Sequence, residues 1–242
     1  MAGEDERDEG PARGPRLEGI DGSGSDLSRL LSLSDGVFAF AMTFLAVTLL
    51  LPQTTGSSTL PSLFAYLGRL EPAFVGYLLS FLVIAAWWNT HHQLFSCIVR
   101  YDQVLLRLNS LFLLVISVTP FVVSLLFAYS PDGFGTGTPS ARLAVMLYAA
   151  VQAAGGCDLL VIWRHATRGR RLVAPTLSAE WIRATEQIQL FTIGVFASSI
   201  VIAFVAPLIA ELAWIVMVFG LRRQLWRRAR RRTDPGTSPS RA

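Results

Sequence analysis

The last apolar stretch of this chain, Ile188–Leu221, runs for 34 residues with one ionisable side chain, Glu211. A helix needs about 20 residues to cross a hydrocarbon layer about 30 Å thick, so this stretch is too long for one comfortable span. Pro207 and Glu211 interrupt it. A proline suits the first position of a helix, so the spacing predicts two helices, Glu186–Val205 and Pro207–Trp226, joined by a tight turn. Four further runs have the length of a membrane span: Leu30–Leu51, Pro72–Cys97, Val104–Tyr129 and Leu143–Trp163. Pro52 ends the first, and Pro120 marks an expected kink in the third.

Composition agrees. Hydrophobic residues make up 52% of the 242 positions and mean hydropathy is +0.47. Charged residues are 16%, against about 25% in a soluble domain. These values exclude a disordered chain and most soluble enzymes. Cys97 and Cys157 are too few for a disulfide framework and read as small core residues. The chain has no lysine, and its net charge of +4 carries no nucleic-acid signal. The fold class expected is therefore an all-α integral membrane protein with six transmembrane helices. Residues 1–27 form an acidic, glycine-rich tail expected to be disordered. The membrane domain spans 28–226, and 227–242 is a basic tail.

Arginine sets the orientation. With the N-terminus inside, the inner connections hold Arg100, Arg107, Arg164, Arg168, Arg170, Arg171 and Arg183. The inner C-terminus holds Arg222, Arg223, Arg227, Arg228 and Arg230–Arg232, whereas the outer connections hold only Arg69 and Arg142. Both ends are expected in the cytoplasm, and the protein in the cell membrane as a multi-pass, bacterial inner-membrane protein. The outer segment Ser130–Gly137 is rich in turn formers.

Polar side chains inside membrane helices are costly, so they are the first candidates for function. Asp35 lies about 7–8 Å of helical rise inside the first run, and His91 and His92 about 8–9 Å inside the second. The first helix runs outward and the second returns, so the two clusters lie at one depth near the cytoplasmic face. Trp88, a histidine and Phe95 share a helical face. Ser34 and Asp35 are expected to hydrogen-bond to one histidine, with Arg29 closing the network. Such a cluster is either a polar lock between helices 1 and 2 or a proton relay. Adjacent histidines diverge by about 100° on a helix, which argues against a shared metal ion. Asp158 is expected to pair with Arg164, near Gln152, and Glu186 and Glu211 to lie at helix ends. His165, in the arginine-rich inner connection, reads as interfacial. Gly36, Phe40, Thr43, Val47 and Leu50 recur at helical spacing and form a stripe, which by periodicity alone is a packing face. No nucleophile–base pair, phosphate loop or CxxC is present, so no enzyme is expected.

The string Arg29-x-x-x-Leu33-Ser34-Asp35-Gly36-Val37-Phe38-Ala39-Phe40-Ala41-Met42-Thr43 resembles the start of helix 1 in the transmembrane protein 175 family of potassium channels. Its signature there is Arg, three residues, then Phe-Ser-Asp. Trp88-x-x-His91-His92-x-x-Phe95 is similar to the family's helix 2 pattern. The resemblance covers about residues 28–226 and implies a homotetramer with four copies of helix 1 around a central pore. It further implies constriction by side chains on that helix in place of a carbonyl filter. Five residues after the motif aspartate, the constriction position is Phe40. A hydroxyl layer falls at Thr43 and the next apolar ring at Val47. Leu33 replaces the motif phenylalanine, and Phe40 stands where relatives carry leucine or isoleucine. The function implied is a potassium-permeable cation channel that uses no cofactor, with itself, membrane lipid and monovalent cations as partners. A proton-coupled secondary transporter and a non-conducting membrane scaffold are the alternatives.

Overall fold

The computed structural model describes residues 24–48, 71–130 and 135–217, with Phe64 and Gly68. Most of the acidic tail, Arg69 and the rest of the first outer connection, Leu50, and everything after Met217 lie outside the described residues. So do the expected end of the last helix and the basic tail 227–242.

The described residues form six helices: α1 (Gly24–Phe44), α2 (Glu71–Phe95), α3 (Gln103–Tyr129), α4 (Pro139–Thr167), α5 (Ala179–Val205) and α6 (Pro207–Val216). Five of them are long and apolar enough to cross a membrane. α6 is a shorter apolar helix among the described residues. α1 starts at Gly24, ahead of the boundary expected at residue 28. It does not stay α-helical to Leu51. After Phe44 the chain tightens into a 3-10 turn, Leu45–Thr48.

The helix starts follow local chemistry. Asp102 caps α3 by accepting the Leu105 amide at 2.8 Å. Thr138 caps α4, with Pro139 in its first turn, and Ser178 caps α5. α6 begins at Pro207 after a non-helical Ala206, so the break falls where the sequence places it. α3 continues through Pro120, a position that membrane helices tolerate.

α4 lies at the centre, packed along both α3 and α5, while α1 leans on α3 and α2. Close approach of α4 and α5 requires Gly156: a Cβ there would sit 2.8 Å from Ile193 Cγ1 and 3.4 Å from Trp87 Cη2. The core is aromatic, with Phe38, Trp87, Phe112, Tyr148, Phe196 and Trp214 all buried. At one end of the bundle, the α2–α3 and α4–α5 turns join through an antiparallel bridge between Ile98 and Val173. Val99 N–H donates to Leu172 O at 2.8 Å, and Ala174 N–H to Cys97 O at 3.0 Å.

Candidate functional site

α1 presents two different faces. Leu30, Ser34, Phe38, Ala41 and Leu45 are buried against the bundle. Gly36, Phe40, Thr43 and Val47 are exposed on the other side, with Phe40 at 65%. The stripe is therefore not a packing face within the subunit. Phe40 stacks on Phe44, with centroids 5.5 Å apart and 17° between planes. Phe44 is absent from the expected stripe. Phe44 follows Phe40 by four residues within the α-helix, so ordinary helical spacing puts the two rings side by side. Thr43 Oγ1 lies 3.0 Å from Ala39 O and 2.9 Å from Phe40 O. Its hydroxyl hydrogen is thus spent on the helix, and its lone pairs are left facing outward.

The buried face carries the polar line. Ser34 Oγ donates to Leu30 O at 2.9 Å. It accepts from Asn109 Nδ2 at 3.0 Å. Asn109 Oδ1 lies 2.8 Å from His91 Nε2. With the amide oriented toward Ser34, its oxygen is the acceptor, so Nε2 carries the hydrogen and donates. His91 is boxed by rings: Phe95 at 4.2 Å, Phe112 at 5.6 Å and Phe38 at 5.7 Å.

Several expectations need correction. Ser34 reaches His91 only through Asn109, so the lock joins three helices, not two. Asp35 bonds to no histidine; it accepts from Trp88 Nε1 at 2.8 Å. His92 is exposed and stacks on Trp88, with centroids 5.7 Å apart. Arg29 is exposed and makes no hydrogen bond to the network among the described residues. The two histidines occupy different surroundings, one buried and one exposed. Among the described residues, no three His, Cys, Asp or Glu side chains cluster as metal ligands. Asn109 carries no charge, so the cost of burying an ionisable group does not single it out. The signal was there, an amide deep in the apolar run Val104–Tyr129.

The other polar positions also move. Arg164 pairs with Glu186, not Asp158. Gln152 accepts from Trp87 Nε1 at 2.7 Å. Glu211 is buried and accepts the Gly135 amide at 2.7 Å, tying the outer connection to α6. Arg142 Nη1 donates to Phe204 O at 2.9 Å, at the end of α5. His165 Nε2 bridges both Asp102 oxygens, at 3.0 and 2.9 Å. Burial alone would raise the Asp102 carboxyl. The Leu105 amide, the His165 hydrogen bond and the charges of His165 and Arg171 outweigh it and hold the group below its ordinary range.

Residues 29–120 match a family model described as endosomal/lysosomal potassium channel TMEM175. A potassium channel of Streptomyces collinus is 33% identical over 161 residues, 66% of this chain and 74% of that one. One of Chamaesiphon minutus is 30% identical over 182 residues, 75% of this chain and 86% of that one. The crystal structure of a lysosomal potassium-selective channel TMEM175 homolog from Chamaesiphon minutus superposes with a TM-score of 0.67. It shares 27% identity and covers 85% of this chain and 98% of that one.

Proposed function

The chain belongs to the TMEM175 family, a multi-pass protein of a bacterial membrane, and on that premise we propose that it is a potassium channel whose α1 helices line a pore between subunits. The observation that carries this reading is the stripe Gly36, Phe40, Thr43 and Val47. It combines apolar rings with a hydroxyl and is left uncovered by the subunit while the opposite face of α1 is buried. In a homotetramer, four Phe40 rings converge on the axis and form the constriction. A narrow apolar ring empties of water and stops an ion until it widens. Thr43 lies one turn beyond, and four hydroxyl oxygens there offer lone pairs to a dehydrating cation. Val47 forms the next ring. The Ser34–Asn109–His91 line and the Trp88–Asp35 bond hold the azimuth of α1, so the stripe points to the axis. The aromatic box around His91 suits a fixed structural bond better than a mobile proton carrier.

The test is potassium and sodium flux through purified protein in vesicles, with Phe40→Ala alongside. Potassium flux should exceed sodium flux and should rise in the variant. Zero flux for both proteins removes the pore and leaves a sealed scaffold. Saturable flux driven by a proton gradient makes the protein a transporter instead.

A further inference from the structure

We propose that the joined α2–α3 and α4–α5 turns form a binding site for the phosphate headgroup of an anionic membrane lipid. The two turns and the helix ends beside them carry seven arginines, at 100, 107, 164, 168, 170, 171 and 183, against three carboxylates, Asp102, Glu180 and Glu186. Two of those carboxylates are engaged, Asp102 by His165 and Glu186 by Arg164. Arg100, Arg168 and Arg171 are exposed and make no direct ion pair among the described residues, although the Arg171 charge reaches Asp102 from a distance.

The turns that present these cations are held rigidly. The amides of Val99 and Arg100 both donate to Leu172 O, at 2.8 and 3.2 Å, which brings Arg100 beside the Arg171–Leu172 backbone. Ile98, Leu172 and Val173 are buried beneath the bridge. Gly169 and Arg170 turn through positive φ, 64° and 55°. The Arg170 guanidinium folds back onto the carbonyls of Pro175 and Leu177, so it closes its own loop and leaves Arg168 and Arg171 outward. Asp102 and His165 lock the start of α3 to the end of α4 from the side. A frame that fixes the main chain beneath these arginines lowers the entropy lost when their side chains close on a phosphate.

The neighbouring surface selects a lipid over a free phosphate. Val99, adjacent to Arg100, is 52% exposed. An aliphatic side chain beside an arginine at the end of a membrane helix fits a headgroup with its acyl chain attached.

The experiment is native mass spectrometry of the full chain in detergent, titrated with dioleoyl phosphatidylglycerol, dioleoyl phosphatidylcholine or glycerol phosphate. The wild type should retain phosphatidylglycerol in preference to both other probes. Arg100→Gln/Arg171→Gln should bind it at least about tenfold more weakly, since losing even one charge-assisted hydrogen bond to a phosphate costs roughly that much. The control Arg107→Gln/Arg183→Gln removes the same charge from α3 and α5 and, with no charged bilayer surface present in detergent, should stay within about twofold of wild type. Equal losses in both double variants, or none in either, overturn the site, because the binding is then diffuse surface charge. Equal retention of glycerol phosphate overturns the lipid assignment. An unchanged elution profile confirms that each variant is folded, and the readout does not depend on ion flux.

Discussion

Asn109 donates to the Ser34 hydroxyl at 3.0 Å while its own oxygen receives His91, so one amide on α3 ties α1 to α2. All three residues are buried.

Replacing Asn109 by Ala strands His91 Nε2 and removes the donor to Ser34 Oγ, which keeps its own bond to Leu30 O. A buried group left without its partner costs about 1–3 kcal/mol. Membrane helices soften this, because the coupling of single interhelical bonds averages about 0.6 kcal/mol. Asn109→Ala should therefore unfold at lower SDS concentration than wild type. A Ser34→Ala, Asn109→Ala double-mutant cycle should give a coupling of about 0.5–1.5 kcal/mol. Additive effects would show that the bond contributes nothing.

The Phe40–Phe44 stack predicts a graded effect on flux. Phe44 supports the ring that forms the proposed constriction, with 5.5 Å between centroids. Phe44→Ala removes the support and leaves the ring itself. Its potassium flux should fall between wild type and Phe40→Ala in the same vesicles. Flux equal to wild type would mean that the stack does not position Phe40.

Asp102 sets an acid limit. Its carboxyl is held below the ordinary range in the folded chain, so the unfolded chain binds the proton more readily. The stabilisation is present above the unfolded value, about 3.9, and is lost as pH falls through the lower folded value. Wild type should lose thermal stability as pH drops below about 4, whereas Asp102→Asn should lack that component of the decline. Melting of both proteins from pH 7 to pH 3 checks it.

Gly156 tests the α4–α5 seam. An added methyl meets Ile193 Cγ1 at 2.8 Å, and Cγ1 is not the flexible tip of its side chain. Gly156→Ala should destabilise by about 1–3 kcal/mol, as overpacking does. Gly156→Ala/Ile193→Ala should recover part of that loss in the same SDS titration.

Much of the fold was legible because a bilayer imposes a length. Uninterrupted apolar runs, and Pro207 at a helix start, marked the elements closely. The end of α1 was not legible, since nothing in Leu45–Thr48 distinguishes a 3-10 turn from continued α-helix. Ser34, Asp35, Trp88 and His91 do bond across helices, but not with the partners that a two-helix reading gives them. Asp35 and Trp88 met because an indole reaches across the helix pair and an imidazole at the neighbouring azimuth does not. Ser34 found an amide on a third helix, and no two-helix argument contains that residue. The exposure of Phe40 also depended on which face α1 turns toward α3, a tertiary fact that periodicity alone leaves open.

The bridge between Ile98 and Val173 bears on motion. It fastens two hairpins, α2–α3 and α4–α5, at one end by main-chain hydrogen bonds, so those four helices travel as one block. Among the described residues, α1 is joined to that block by side chains alone. A tilt of α1 would therefore strain side-chain bonds but no main-chain one, whereas parting the two hairpins at the bridge would break backbone hydrogen bonds.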